Sequence, residues 1–135
     1  MIPKYRAYHK PSNQICEVYN LDLYESDFTI PNPDENSSDP ELTYSFNDDD
    51  VVLMRSTRLF DKNGVEVFEG DIVKHESEWS DEPTETYYGE VRRGAYGTWF
   101  IHSRNAHSTY TYRSFHGRLN FEVVGNIHTT PELVN

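Results

Sequence analysis

One cysteine, six histidines and 23 carboxylates are the groups with which this chain of 135 residues could do acid–base, nucleophilic or metal chemistry. Their spacing argues against each in turn. His75-Glu76-Ser77-Glu78 opens like a zinc-protease helix, but no second His follows four residues after the first, so two imidazoles cannot share one helix face. His102, His107 and His116 fall in one stretch at separations that match no common zinc set, and Cys16 cannot complete a zinc ribbon with them. They read as histidines on polar strands. Asp48-Asp49-Asp50 lacks the alternating ligands and the Gly of a calcium loop. Asp61-Lys62-Asn63-Gly64 echoes such a loop for four residues only and reads as a hairpin turn with Gly where φ is positive. Phosphate-binding and dinucleotide-binding glycine loops are absent, as is the nucleophile elbow G-x-S-x-G. Carboxylates are so frequent that no pair stands out for acid–base work. Cys16 lies beside Ile15 and Val18 and reads as a small core residue, not a nucleophile with an activating base. The expectation is a chain that is not an enzyme and carries no metal and no cofactor.

Binding leaves a clearer trace. No Asp or Glu occurs from Val91 to Phe121, while Arg92, Arg93, Arg104, Arg113 and Arg118 do. Trp99, Phe100, Tyr110 and Tyr112 stand among them. Arginines for phosphates and rings for bases are what a single-stranded nucleic-acid groove uses. The residues singled out as a candidate binding set are Arg92, Arg93, Trp99, Arg104, Tyr110, Tyr112 and Arg113. Two facts oppose the reading. The net charge is −11, which repels nucleic acid at long range. Strand alternation also sends about half of those rings into a core. Arginines held by the chain's own carboxylates, or by a protein partner, rank ahead of nucleic-acid binding. The carboxylates between Asp34 and Asp50 invite a further idea, approach to a basic protein surface in imitation of nucleic-acid charge, but a solvated loop ranks above it.

The elements that must position these residues are strands. Ala occurs only at positions 7, 95 and 106, while Val, Ile, Thr and ten Tyr are common; β-branched and aromatic residues suit a half-buried pleated surface. Leu, Ile, Val and Phe make up 30 residues, so the core is modest, and self-association would add burial. The length suits one domain, or one with a small appendage. Residues 1–50 read as an N-terminal extension. Its last part, 31–50, is an acidic loop broken by Pro31, Pro33 and Pro40, with a short strand around Tyr44 and Phe46. Residues 51–135 read as the main domain. Strands are predicted within 64–74, 87–102 and 121–127, with turns at Asn63-Gly64, Gly70 and Gly94–Gly97, and an acidic hairpin loop over 76–86. Val67, Ile72, Val91, Phe100, Val123 and Ile127 are the predicted core. No apolar run reaches the length of a membrane helix, and the N-terminus lacks the apolar stretch of a secretory signal. A cytoplasmic location with no membrane association is the expectation.

These blocks resemble the YopX family of phage and prophage proteins. The likeness is carried by Tyr5-Arg6-Ala7-Tyr8, by Leu53-Met54-Arg55-Ser56-Thr57, and by Leu59-Phe60-Asp61-Lys62-Asn63-Gly64. It continues through Val67-Phe68-Glu69-Gly70-Asp71-Ile72-Val73-Lys74, Gly89-Glu90-Val91 and the closing Phe121-Glu122-Val123-Val124-Gly125-Asn126-Ile127-His128 with Pro131-Glu132-Leu133. The order and spacing of these blocks, more than any one of them, make the match specific. It leaves gaps at 25–50 and 76–86. The chain departs from the pattern at Arg58, where the family usually carries Gly after the Thr; if the backbone there needs a positive φ, Arg is costly. The resemblance implies a small SH3-like β-barrel with an N-terminal extension, in a protein of phage or prophage origin. It implies no activity, and a fold alone licenses none.

The reading taken forward is a mainly β, non-catalytic interaction module in the bacterial host cytoplasm, with an unknown host or phage protein as partner. Nucleic-acid association through the 92–118 stretch stands second.

Overall fold

The computed structural model describes residues 4–76, 86–94, 97, 99–102, 110–111 and 121–134. The chain is mainly β, with short helical turns at Lys10–Ser12 and Pro131–Val134. It divides into two compact units, Met1–Arg55 and Ser56–Asn135.

The first unit holds β1 (Tyr5–His9), β2 (Gln14–Glu17), β3 (Asn20–Asp22), β4 (Asp27–Pro31), β5 (Glu41–Ser45) and the start of β6 (Val51–Phe60). β1 pairs antiparallel with β2 and with β6, and β3, β4 and β5 form a separate three-stranded sheet. Ala7 and Cys16, from the first pair, share a core with Phe28 and Ile30 of β4 and with Val51. Cys16 is buried, as expected, and burial pushes its thiol pKa up, which keeps it protonated and unreactive.

The short strand expected around Tyr44 is present, but the segment 31–50 otherwise differs from the expected solvated loop. β5 runs through it, pairing Leu42 with Ile30 and Tyr44 with Phe28. Leu42, Tyr44 and Phe46 pack against the core. Its polar residues hold the turns. Asn32 Oδ1 accepts the Asp34 N–H, Asp34 Oδ1 that of Asn36, and Ser37 Oγ that of Asp39. After β5, Ser45 Oγ accepts from Asn47 N and Asp48 Oδ1 from Asp50 N. Asp, Asn and Ser favour such short side-chain bonds to a following N–H, so acidity here marks turns as much as solvation.

The second unit takes the end of β6 and adds β7 (Glu66–Phe68), β8 (Asp71–Glu76), β9 (Thr86–Arg93), β10 (Trp99–His102), β11 (Tyr110–Thr111) and β12 (Phe121–Asn126). The five later strands form one antiparallel sheet in the order β11-β10-β9-β8-β12. Among the described residues no pairing joins its two edges, so an SH3-like closure is not part of what is seen. The predicted strands and turns are present where the residues are described, with Gly64, Gly70 and Gly97 at positive φ; most of the expected acidic hairpin loop over 76–86 lies outside the described residues. The core is Val67, Val73, Val91, Ile101 and Phe121. Val67, Ile72 and Val91 are buried as predicted, Val123 packs half-buried at the core edge, and Ile127 is half-buried. Phe100 is corrected. Ile101 pairs with Val91 across the ladder while Phe100 pairs with Arg92, so alternation gives the buried place to Ile101. Gly89 lies under this contact: a Cβ there would overlap Ile101 Cγ2.

The β6–β7 pairing carries a bulge between Ser56 and Leu59, and Arg58 inside it has φ 62°. The bulge is held by side chains. Ser56 Oγ accepts the Arg58 N–H, Thr57 Oγ1 accepts the Leu59 N–H, and Thr57 also donates to Val67 O at 2.7 Å. Two hydroxyls in Ser56-Thr57 thus fix a backbone that suits Gly and places Arg in a left-handed region. Both Arg58→Gly and Arg58→Ala delete the arginine's own contacts, so their difference isolates the backbone. The Gly variant is expected to be more stable than the Ala variant by about 1 kcal/mol in urea unfolding. Equal stabilities would show that the bulge relaxes to accept a Cβ.

Candidate functional site

The basic–aromatic stretch is divided by its own pleat. β9 and β10 pair Arg93 with Trp99, Arg92 with Phe100, Val91 with Ile101 and Glu90 with His102. Val91 and Ile101 are core, so Trp99 and Arg93 follow them on that face, and Trp99 packs half-buried against the core. The Arg93 guanidinium lies over Gly97, where a Cβ would come within 3.1 Å of Nη2. Arg92 points from the other face of the sheet. The two arginines, adjacent in sequence, therefore cannot meet one ligand side by side.

The face that carries Arg92 also carries Tyr88, Glu90, Phe100 and His102, with Lys74 and Glu122 paired across β8 and β12. Arg92 Nη2 donates to Glu90 Oε1 at 3.0 Å. Its side chain is 46% exposed and that of Glu90 17%, so the pair sits at the surface, where an ion pair contributes at most about 1 kcal/mol. Its consequence is for recognition: the positive charge is matched locally, and Lys74 and Glu122 leave the face mixed in sign. Tyr110 is the β11 residue opposite Ile101, and its side chain is outside the described residues. Arg104, Tyr112 and Arg113 also lie outside the described residues.

Beside the strongest turn of the second unit is a carboxylate whose role the sequence only half disclosed. Asp61 is buried. Its Oδ1 accepts from Asn63 N and Val65 N at 2.9 and 2.8 Å, and its Oδ2 accepts from Val123 N at 2.9 Å. One side chain thus closes the β6–β7 hairpin and fastens it to β12, aided by Lys62 N donating to Phe121 O. Oxygens turned onto three backbone donors form a turn cap, and the likeness to a calcium loop ends there. Asp71, fully buried, accepts the Phe68 N–H at 2.8 Å and shapes the Glu69-Gly70 turn. Asn126 does the same for the final turn, accepting from His128 N and Thr129 N. Among the described residues no three His, Cys, Asp or Glu side chains are grouped so as to hold a metal ion.

One hydrogen-bonded chain in the first unit was not anticipated. His9, 6% exposed, has Nδ1 at 2.7 Å from Ser12 Oγ and Nε2 at 2.8 Å from Tyr44 Oη. Burial, then the nearby Asp48 and Asp50 carboxylates, push the Tyr44 phenol pKa up, so it stays neutral. A neutral phenol and a serine hydroxyl each donate or accept, and together they satisfy either tautomer of the buried imidazole. The serine lies only three residues from His9 on the Lys10–Ser12 turn, so the chain reads as a strut between β1 and β5. Alternation was the available signal: His9 shares its strand face with the fully buried Ala7, and an inward histidine requires partners.

In the second unit Thr57, Leu59, Val67, Val91, Trp99 and Phe121 are among the residues lining an apolar recess of about 10 Å³, barely room for one water. No helix among the described residues is long and apolar enough to cross a membrane.

A family model described as YopX protein matches residues 4–135. Two solved structures share the fold over essentially their whole length. The crystal structure of protein EF1440 from Enterococcus faecalis has 26% identity and a TM-score of 0.65, covering 100% of this chain and 99% of that one. The crystal structure of protein yopX from Bacillus subtilis has 17% identity and a TM-score of 0.61, covering 100% and 98%. None of the curated proteins matches the chain.

Proposed function

The chain belongs to the YopX family, and from that premise we propose that it is a phage- or prophage-encoded accessory protein acting as a non-catalytic protein-interaction module in the bacterial cytoplasm. The observation that carries this reading is the fate of Arg92 and Arg93. One is paired with Glu90 on a face of mixed charge, and the other lies on the opposite face beside a core-packed Trp99. A nucleic-acid track needs cations and rings aligned on one side. The described strands instead support arginines dispersed among carboxylates, as in a surface that meets protein.

The discriminating experiment is a fluorescence-anisotropy titration with labelled single-stranded DNA and RNA. No binding is expected at physiological salt. Micromolar binding that falls steeply with salt, with a slope flattened by Arg92→Ala and Arg93→Ala, would promote the nucleic-acid reading. In a pull-down from induced or infected host cells, a specific host or phage protein should co-purify in stoichiometric amount.

A further inference from the structure

The first unit presents two large apolar side chains that its own fold does not use. At the turn joining β3 to β4, Leu23 is 71% and Tyr24 93% exposed. Scattered single apolar residues are ordinary on a surface; these are adjacent, and the backbone beneath them is fixed. Asp22 pairs with Asp27 across the hairpin, and Asp22 Oδ1 accepts the N–H groups of both Tyr24 and Glu25 at 3.0 Å. Ser26 takes a positive φ of 58°. Its carbonyl accepts the N–H of Phe46 at 3.0 Å, and Phe46 is itself packed on the core. A Leu-Tyr pair held this way loses little backbone entropy when it is covered, and Tyr is among the residues that dominate protein interfaces.

The surrounding charge selects the partner. Between Pro11 and Met54 there are eleven carboxylates and no Lys, Arg or His, with Asp22, Glu25 and Asp27 in the turn itself. Nucleic acid and an anionic bilayer carry negative charge and are repelled, and a second copy of this chain, with a net charge of −11, is disfavoured at long range. We propose that Leu23 and Tyr24 are the anchor of the interaction module, entering an apolar depression on a partner protein whose surrounding surface is rich in Lys and Arg. The inference rests on the protein-interaction reading and assigns it a surface. Carboxylates at the rim then steer the encounter while the two apolar side chains supply the affinity.

The test selects a random peptide-display library on the immobilised intact protein, then measures binding of the selected peptides in solution. Enriched peptides should combine Lys or Arg with aliphatic or aromatic residues and bind more weakly as salt rises. The double variant Leu23→Ser/Tyr24→Ser should lose about tenfold or more in affinity with an unchanged melting temperature, since both side chains face solvent. Glu25→Lys should weaken binding more than the exposed control Glu35→Lys. Selected peptides that bind the double variant as well as the parent would overturn the anchor and leave the interaction reading standing. A library that yields no binder would sink both. Binding to phosphatidylglycerol vesicles or single-stranded DNA, or self-association, that disappears in the double variant would overturn the choice of a basic protein as partner.

Discussion

Asp61→Ala is expected to lower the unfolding free energy by about 4 kcal/mol. The carboxylate accepts three backbone N–H groups at 2.8 to 2.9 Å from a buried position. A hydrogen bond to a charged acceptor contributes about 1.5–3 kcal/mol, and buried donors left without an acceptor add their own penalty; the sum is less than additive because Asn63 and Val65 are close enough to reach water. For a unit of this size the loss corresponds to a fall in melting temperature of about 20 °C. Asp61→Asn keeps one acceptor oxygen and must aim its amide N–H₂ at a donor, so about half the loss is expected. Urea unfolding followed by Trp fluorescence measures both. A change below about 1 kcal/mol for the Ala variant would show that the β6–β7 hairpin holds without its cap. Calcium should protect neither the parent nor the variant against unfolding, since the oxygens are already engaged by backbone.

Phe28→Ala, or removal of β5 with its flanking turns, is expected to unfold most of the first unit. Phe28 is 1% exposed and Ile30 fully buried. The Phe28 ring packs against the rings of Phe46, stacked at 6.2 Å, and Tyr44 at 6.3 Å. Truncating such a phenylalanine costs about 3–5 kcal/mol, a large share of what a small β unit possesses. A solvated loop over 31–50 leads to the opposite expectation, because lengthening or shortening a flexible loop costs little. The two are separated by limited proteolysis and urea unfolding of a variant lacking residues 41–46. Rapid cleavage within the first unit and a fall of several kcal/mol support the packed hairpin; unchanged protection would restore the loop.

Much of the second unit was legible in the sequence because its signals are local. Gly64 and Gly70 stand where φ is 82° and 88°. A positive φ favours a residue without Cβ whatever the rest of the chain does, so turns could be placed without knowing what they join. Val67, Ile72 and Val91 were assigned to the core from short apolar runs bounded by those turns, and they are buried. Even the departure at Arg58 pointed to its left-handed backbone. What pattern could not supply was phase and partner. In Trp99-Phe100-Ile101-His102 every residue but the last is apolar, so the run itself does not say which faces inward; the pairing of Ile101 with Val91 decides it. Arg92 and Arg93 look like one basic site in one dimension and become two faces in a strand.

The other failures have the same origin. Asp61 reads as a turn residue from its neighbours Asn63 and Gly64, but its bond to Val123 spans 62 positions and exists only once β12 is in place. Tyr44 and His9 lie 35 residues apart, and neither composition nor spacing brings them together. In the acidic segment the alternation around Tyr44 marks a short strand, but composition weighs the carboxylates beside it and does not disclose that this strand pairs with β4 and packs on the core. The sequence by itself determined a mainly β chain, its family and its turns, because φ restrictions, β-branching and alternation act within a few residues. Tertiary structure alone decided which carboxylate became a cap, which arginine was neutralised and which apolar side chains were left outside, because each depends on what a distant strand brings within hydrogen-bond or van der Waals reach.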